Sequence, residues 1–483
     1  MREIGSRLPA EQKCRIGERR FLLFCVKHMR KLVLVSAWCS ITALAAAFYS
    51  PFSATPRAQL ASPQAGSPAL PVGLPVYRVT NFGALPNDGK DDYDAMQLAA
   101  NAVCGTGGTL IYPPGVYQIN RVKVMGGPNQ NGVGDILYRH CDNVLISGRG
   151  AIIRIKGNFS RTADYATGRF FRSYNNGVVP FHFEESSNFT VEGFELHGGV
   201  DQMVRDPGVV EAGNAGISTF HCRHYTLRDL NIHHFHTDGI YIGGSRQPDE
   251  DVLIERVSAH NNARLALAVI QARNVLVRDS NFSSSGRTGK YGYHAPGMGV
   301  DVEPNYLTSP PTENVRFEHC AFKDNIGGSF DAAHPDKTGT VTVTNCDLAS
   351  PDDSVSVNVF IVTDPGEISN NTFTVPAGHR IFLTYTSISA KILYTGNTFN
   401  LARTDGIMAD KNPGYNVSFT RNRINIASIH GLLLLRNLGV VQGNEITIGG
   451  APAGSSASPQ SLVSYEGTMT VGENNLKIMP VAK

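Results

Sequence analysis

Two acidic residues, Asp301 and Glu303, flank Val302 in the run "GVDVEP" at residues 299–304. If this run is a strand, side-chain alternation sends Val302 inward and both acids to the outer face, about 7 Å apart. Neighbouring carboxylates push each other's pKa values apart, so that one keeps its proton while the other is ionised. Hydrolysis of a glycosidic bond needs such an acid and base, and this spacing suits an inverting hydrolase. We therefore predict Asp301 and Glu303 as catalytic acid and base.

Other segments supply further groups that could bind a sugar or transfer a proton. The run "HFHTDGIYI" contributes His236 and Asp238 as additional catalytic candidates. An insertion at residues 283–298, "SSSGRTGKYGYHAPGM", is predicted to form a wall of the binding groove. Aromatic rings can stack on a sugar, and cationic groups can pair with a uronate carboxylate. The predicted substrate-binding residues are Arg264, Tyr241, Tyr293, His294, Arg287 and Lys290.

Each candidate also has an ordinary structural explanation. Asp238 precedes Gly239, which is a common arrangement in turns, and the two acids at 301 and 303 could simply solvate an exposed strand. The histidines His233, His234 and His236 lack a second group of ligands at metal-binding spacing, so solvated turn histidines are favoured and no metal site is predicted.

A short pattern that recurs from about residue 188 must position these groups. A β-rich run is followed by a small or polar residue, a variable residue and an apolar one, with steps of 27, 23, 40, 26, 25, 26, 25, 22 and 30 residues. Such a period is typical of a solenoid, in which stacked coils bury a shared core and their strands run parallel. The aligned positions are Leu230, Val257, Ser280, Cys320, Cys346, Asn371, Asn397, Asn422, Asn444 and Asn474.

The asparagines of this pattern are predicted to form a hydrogen-bonded ladder along the stack. A second set of runs stacks on its starting residues, which places Ile217, Ile240, Leu267 and Val300 in one inward row. Thr219, Ile242, Val269 and Val302 form another inward row, and the outward row is Ser218, Tyr241, Ala268 and Asp301.

An open solenoid needs its first coil covered, because an uncovered edge recruits other chains. The segment "DGKDDYDAMQLAANAVC" is predicted to supply that cover as an amphipathic helix with an Asp-rich start. The three acids Asp88, Asp91 and Asp92 are assigned to capping. The predicted buried face contains Tyr93, Met96, Leu98, Ala99 and Val103.

Residues 79–119, "VTNFGALPNDGKDDYDAMQLAANAVCGTGGTLIYPPGVYQI", closely resemble the N-terminal signature of the pectate lyase superfamily. With the repeat, the resemblance covers nearly everything after residue 76. It implies an all-β fold, a single-stranded right-handed parallel β-helix with an N-terminal capping helix over residues 77–483. It also implies a polysaccharide as substrate, although the signature is not specific for one reaction.

The stretch "HTDG" at residues 236–239 resembles the "NTDG" of polygalacturonases, with Asp238 at the position of their first catalytic aspartate. The chain lacks their Asp-Asp pair one coil on, their Gly-His-Gly and their downstream Arg-x-Lys, which argues against polygalacturonase activity itself. We favour a glycoside hydrolase that needs no cofactor.

Two other functions remain open. A polysaccharide lyase or uronan epimerase would remove the proton α to a uronate carboxylate, and a lyase could use Ca²⁺ held by Asp301, Glu303 and Asp331. A non-catalytic glycan-binding or tailspike-like adhesin would bind without cleaving. An adhesin could trimerise through an exposed apolar stripe, and the run "GLLLLRN" at residues 431–437 is the candidate, although a buried strand is favoured for it. A monomer or a trimer is expected.

The N-terminal residues predict export. Residues 1–50 form a basic leader with an apolar run after Met29, typical of a signal peptide or an uncleaved anchor, and residues 51–76 form a Pro/Ala/Ser-rich linker. We expect a secreted or periplasmic protein, held at a membrane only if the leader stays uncleaved. Residues 1–61 hold ten of the 43 Lys and Arg and three of the 41 Asp and Glu. The remainder has 33 basic and 38 acidic residues, which argues against nucleic acid as partner.

Five cysteines follow the leader, at positions 104, 141, 222, 320 and 346, without CxxC spacing. An odd count excludes complete pairing, while export permits one or two disulfides. Cys320 and Cys346 occupy the ladder position one coil apart, so they are predicted either as a disulfide or as buried thiols.

Overall fold

A computed structural model describes fifteen segments of the chain, all of which lie in the compact unit Ala61–Lys483. The predicted leader and most of the linker lie outside these residues. No helix in the described part of the chain is long and apolar enough to cross a membrane. The described segments are residues 73–120, 135–156, 178–202, 215–243, 247–289, 292–303, 312–332, 339–362, 366–382, 391–408, 416–429, 433–436, 438–451, 463–466 and 470–480.

Nearly all regular structure is β-strand, and the strands run parallel in two sheets. In the twelve-stranded sheet, each strand pairs with the strands of the same sheet that come before and after it along the chain, so each coil adds one strand. This order is that of a parallel β-helix. Its strands are Leu137–Arg139, Phe181–Glu184, Ile217–Phe220, Ile240–Ile242, Leu267–Val269, Met298–Val302, Gly328–Ala332, Asn358–Val362, Arg380–Phe382, Ile407–Met408, Leu433–Arg436 and Val463–Glu466.

The 23-stranded sheet forms the other walls of the helix, and it is also parallel. Its N-terminal strands are Val76–Arg78, Gly108–Ile111, Gly115–Ile119, Val144–Ile155, Ser187–His197, Arg223–His233, Asp249–His260, Ala272–Arg278, Asn281–Ser283, Glu313–Glu318, Ala321–Lys323 and Val341–Thr344. The remaining strands are Asp347–Ala349, Gly366–Ser369, Thr372–Val375, Lys391–Thr395, Thr398–Arg403, Asn416–Thr420, Arg423–Ser428, Val440–Gln442, Glu445–Ala451, Thr470–Val471 and Asn475–Pro480. Short 3₁₀ turns occur at Val79–Phe82, Val200–Gln202 and Thr404–Gly406.

Both predicted inward rows are confirmed. Ile217, Ile240, Leu267 and Val300 pair in register across four coils, as do Thr219, Ile242, Val269 and Val302, and all eight side chains are fully buried. In the run "GLLLLRN", Leu433 and Leu435 are also fully buried, as expected of a strand rather than an exposed stripe. Apolar residues at alternate positions therefore define the core along the stack.

The predicted asparagine ladder is also confirmed. Each amide from Asn371 to Asn444 donates through Nδ2 to Oδ1 of the next asparagine at 2.9–3.1 Å, and the same oxygen accepts from the backbone N–H of the preceding one. Cys320 and Cys346 continue this position as buried free thiols, with the Cys320 N–H donating to the Cys346 sulfur at 3.3 Å. Of the two alternatives for this pair, thiols are correct.

The capping helix spans Tyr93–Thr106, as predicted, and buries Tyr93, Met96, Ala99, Ala100 and Val103. The assignment of Leu98 to the buried face of the helix was wrong, because Leu98 is 56% exposed. Ala100 belongs to the buried face instead.

Asp92 stands at the N-cap but makes no side-chain cap. Its carboxylate accepts from the Leu85 and Gln118 amides, so it ties the helix to the first coils. A disulfide between Cys104, on the helix, and Cys141 also joins the cap to the coils.

Candidate functional site

The outer face of the twelve-stranded sheet carries the predicted outward row. Tyr241 pairs with Ser218 on one side and Ala268 on the other, and Ala268 pairs with Asp301. The next coil adds Asp331, whose Cα is the partner of Asp301. Neighbouring strands lie about 4.8 Å apart, so the two aspartates stand side by side.

This pairing corrects the predicted stacking of the run "GSFDAA" at residues 328–333, which, aligned on its first residue, would pair Gly328 with Gly299. Gly328 pairs with Met298 and not with Gly299, because Phe330 takes the core position beside Val300. The shift of one residue moves Asp331 to the outer face, next to Asp301. Sequence reasoning named Asp331 only as a calcium ligand. Aligning Phe330 with the inward row was the available signal.

Asp301 is buried although it lies on the outer face, with 7% of its surface exposed. A small apolar cluster of Leu265, Ala268, Ile270 and Met298, packed against Tyr241, lies on the same face. Burial raises the pKa of Asp301 well above its usual value, and the charges of Glu303 and Asp331 raise it further. Both effects favour the protonated form of Asp301.

Asp331 is also shifted, because burial and the Glu303 charge raise its pKa to about 7. Its Oδ1 is buried and accepts no hydrogen bond from the described residues. Glu303 directly follows the strand Met298–Val302 and is more accessible than Asp301. Its backbone N–H donates to Val269 O at 3.0 Å. The three carboxyl groups thus interact electrostatically, with Asp301 at the centre.

Asp238 and Arg264 form a buried ion pair beside the acids. Two nitrogens of the guanidinium donate to the two carboxylate oxygens, each at 2.9 Å, and the Leu265 N–H donates to Asp238 at 3.2 Å. Only 2% of the Asp238 side chain and 16% of Arg264 are exposed. Gly239 is required here, since a Cβ would lie 2.6 Å from Ala266 O. Asp238 therefore orients Arg264, whose charge lowers the pKa of Asp301.

His236 and His294 are brought together although they are distant in the sequence. Both are almost fully buried, and the backbone N–H of His294 donates to Ala263 O at 2.8 Å. Burial and the neighbouring His294 together lower the pKa of His236 to about 4, which favours its neutral form.

The remaining predicted binding residues have different surroundings. Tyr241 is half-buried and tilted against Phe220, with ring centroids 5.6 Å apart. The Tyr293 hydroxyl donates to Pro296 O at 3.0 Å, and its ring lies where a Cβ of Gly297 would be.

Arg287 pairs with Asp324 at 2.8 Å and with Asp353 at 2.7 Å, so its guanidinium is engaged by carboxylates of the chain itself. Lys290 lies outside the described residues. The insertion therefore contributes rings and an internal ion pair to the described structure.

A histidine that sequence reasoning missed lies on the same outer row. His182 pairs in register with Ser218, which places it three coils before Ala268. Its Nδ1 lies 2.6 Å from Asp135 and its Nε2 lies 3.4 Å from Glu184. Burial lowers its pKa, but the two neighbouring carboxylates outweigh burial and raise the pKa to about 9. The protonated form of His182 is therefore favoured at the N-terminal part of this face.

The comparisons with known proteins concern the fold. A family model described as "Right handed beta helix region" matches residues 176–373. No curated protein matches the chain at a significant level.

Three solved structures illustrate the likeness. The A-module of mannuronan C-5 epimerase AlgE6 from Azotobacter vinelandii is 16% identical, with a TM-score of 0.44 over 84% of this chain and 99% of its own. PfbA, a surface adhesin of Streptococcus pneumoniae, is 14% identical, with 0.47 over 84% and 93%. The catalytic unit of a GH87 alpha-1,3-glucanase from Streptomyces thermodiastaticus strain HF3-3 is 15% identical, with 0.45 over 86% and 71%.

At these identities and TM-scores the likeness carries no information on activity. The parallel order of the strands and the match of the family model agree on the architecture. The chain is a right-handed parallel β-helix protein, the fold that the repeat and the superfamily resemblance predict.

Proposed function

We propose that the protein is an exported carbohydrate-active enzyme that hydrolyses glycosidic bonds in a glycan, with a uronate-containing polysaccharide as the expected substrate. The observation that carries the proposal is Asp301, a buried carboxyl on the outer face of the twelve-stranded sheet, beside two other acids. Polar groups gathered at one point on a solenoid face mark a binding groove rather than a packing surface.

Asp301 is assigned the role of general acid. A glycosidic oxygen needs a proton as the bond to C1 breaks, and the donor must hold that proton near neutral pH. Asp301 meets this condition because it is desolvated and lies between the charges of Glu303 and Asp331. Arg264 opposes the shift, which keeps the acid from becoming too weak to donate.

Glu303 is assigned the role of general base. It is the more accessible of the acids on its strand, so water can reach it, and it lies two residues from Asp301 on the same face. That spacing, about 7 Å, leaves room for the attacking water of an inverting reaction. Asp331 is nearer to Asp301, with about 4.8 Å between the two Cα atoms. A shorter separation of the two carboxyl groups is typical of retaining enzymes. Its assigned role is to hold the Asp301 proton electrostatically.

Substrate binding is assigned to the residues flanking the acids. Tyr241 and Tyr293 supply ring faces or polar edges, and Arg264 supplies the positive charge that a uronate carboxylate would need. Asp238, His236 and His294 are assigned to the support of this surface, because all three are almost completely buried.

The experiment is a product analysis of residues 61–483 on acidic and neutral glycans. New reducing ends whose anomeric configuration is inverted, followed by NMR, support the proposal. Retained configuration would transfer the second role from Glu303 to Asp331. Ultraviolet-absorbing unsaturated ends would identify a lyase, altered uronate stereochemistry without cleavage an epimerase, and binding without any product an adhesin.

Calcium provides an independent discrimination. The acids at 301, 303 and 331 are not among the described side chains that converge on a single ion position. A protonated Asp301 and a calcium-bound Asp301 exclude each other, because a cation favours the ionised form. Turnover that persists in EGTA supports hydrolysis by the acid pair, whereas strict dependence on added Ca²⁺ would favour the lyase.

A further inference from the structure

Three histidines converge on the outer side of the 23-stranded sheet, away from the acid cluster in the sequence. His197 ends the strand Ser187–His197, and His233 ends the next strand of the stack, Arg223–His233, in register with it. His234 follows directly. Each offers a ring nitrogen, and these nitrogens lie within 4.8 Å of one another. The sequence suggested a group of His233, His234 and His236, but the third member is His197, from the preceding coil.

The rings contact each other closely. His233 Nδ1 lies 2.7 Å from His234 Nδ1, and the His197 ring stacks on His234 with centroids 5.0 Å apart. Two ring nitrogens at hydrogen-bonding distance require that one is a donor and the other a neutral acceptor. A change of tautomer at the donor ring would turn both of these nitrogens into lone-pair ligands facing the same small space.

Carboxylates stand at the opposite edges of two of these rings. His233 Nε2 lies 3.5 Å from Glu195, and His197 Nε2 lies 3.9 Å from Asp201. A metal-binding histidine characteristically directs its other ring nitrogen at a carboxylate, which fixes the tautomer and strengthens the ligand. With Nε2 of both rings directed at carboxylates, Nδ1 of His197 and Nδ1 of His233 are the atoms that would face an ion. Binding must displace two hydrogen bonds, the one between the Nδ1 atoms of His233 and His234 and the one that the Gly199 N–H donates to His197 Nδ1 at 3.1 Å.

We propose that His197, His233 and His234 form a binding site for a divalent transition ion, with Zn²⁺ as the expected occupant. Three imidazoles suit the borderline-soft Zn²⁺, whose fourth position would be filled by water. The ion would cross-link two successive coils just before the turn that holds His236 and Asp238. This inference is independent of the proposed hydrolase.

The test uses the exported fragment, residues 61–483, without a histidine tag and after treatment with a chelator. Co²⁺ serves as the spectroscopic probe, and Zn²⁺ affinity is measured by competition with a chromophoric chelator. Wild type is expected to show the absorption of a tetrahedral Co²⁺ site, and Zn²⁺ is expected to raise its thermal midpoint. His234→Gln should abolish both signals, and Glu195→Gln should weaken Zn²⁺ binding about 10–100-fold.

His224→Gln is the matched control. His224 is an exposed histidine on the same strand as His233, paired with Asp251 at 3.0 Å, and its substitution should leave Zn²⁺ affinity unchanged. His260→Gln is a second control, because the His260 ring stacks on His233 with centroids 5.0 Å apart. It tests whether the loss of ring packing alone changes Zn²⁺ affinity. The proposal is overturned if wild type binds no ion, or if His234→Gln and His224→Gln bind equally well.

Discussion

Asp301 and Asp331 are directly opposite each other on adjacent parallel strands, on the outer face of the twelve-stranded sheet. Like charges at this position would repel, and burial leaves little water to screen them. A proton on Asp301 would remove one of the two charges, and the raised pKa of that carboxyl favours it. The juxtaposition of the two aspartates is therefore what supports the proposed role of Asp301 as proton donor.

Replacing Asp301 with Asn should remove the proton donor and keep the shape. We expect kcat to fall about 10²–10⁴-fold, the range typical of losing a general acid, while glycan affinity and folding are retained. Turnover and equilibrium binding on one glycan provide the measurement. Asp347→Asn, an exposed acid on the other sheet, is the control and should leave kcat unchanged. Normal turnover by Asp301→Asn would exclude this residue from the mechanism.

Replacing Asp331 with Asn should shift the pH dependence of turnover. The Asp331 charge raises the pKa of Asp301, so its removal lowers that pKa. Activity needs protonated Asp301, and the falling alkaline limb of the pH–rate profile should therefore move to lower pH. A profile of kcat against pH for both proteins makes the comparison. An unmoved alkaline limb would show that the two carboxyls are not coupled.

The same substitution should change stability in a pH-dependent way. Burial raises the folded-state pKa of Asp331 from 3.8 to about 7, so the native state binds this proton more tightly than the unfolded chain. That stabilisation is complete below about pH 4 and is lost as the pH rises through 7, a difference of about 4 kcal/mol. Asp331→Asn should lack this loss and be the more stable protein at pH 8. Urea unfolding at pH 5 and pH 8 measures it, and parallel pH curves for wild type and variant would contradict the assignment.

Removing Arg264 should destabilise the fold more than removing the whole ion pair. Arg264→Ala leaves the Asp238 carboxylate buried without its bidentate partner, at a cost of about 3–5 kcal/mol. In the double variant with Asp238→Asn, no charge is left buried, and much of the stability should return. A double-mutant cycle by urea unfolding provides the number. Additive losses would mean that the two side chains do not depend on each other.

The asparagine ladder should contribute strongly at each position. Asn397 is fully buried, donates to Ile368 O at 2.8 Å and to Asn422 at 3.0 Å, and accepts from Asn371. Asn397→Ala leaves these partners buried and unpaired, so we expect a loss of about 2–4 kcal/mol in the free energy of unfolding. Asn400→Ala, at a half-buried position nearby, should cost less than half as much. Equal costs would assign no special role to the ladder.

The sequence alone determined the coil, because alternation and period are local properties of the chain. Apolar residues at every second position identified the inward rows that contain Ile240 and Val300, and the repeated asparagine identified the ladder. The Asp-rich start and the helical spacing of apolar residues in the segment 88–104 predicted the capping helix. These features follow from which side chains must leave water, and a pattern in one segment is enough to reveal them.

Only the tertiary structure decided which polar groups meet. The register that places Asp331 beside Asp301 depends on Phe330 filling the core, and a slip of one residue would turn that acid inward. His197 lies beside His233 because two coils stack, although no local sequence pattern around either residue predicts this contact. Neighbours on a solenoid face come from different coils, so their contacts are set by packing between coils and not by spacing along the chain.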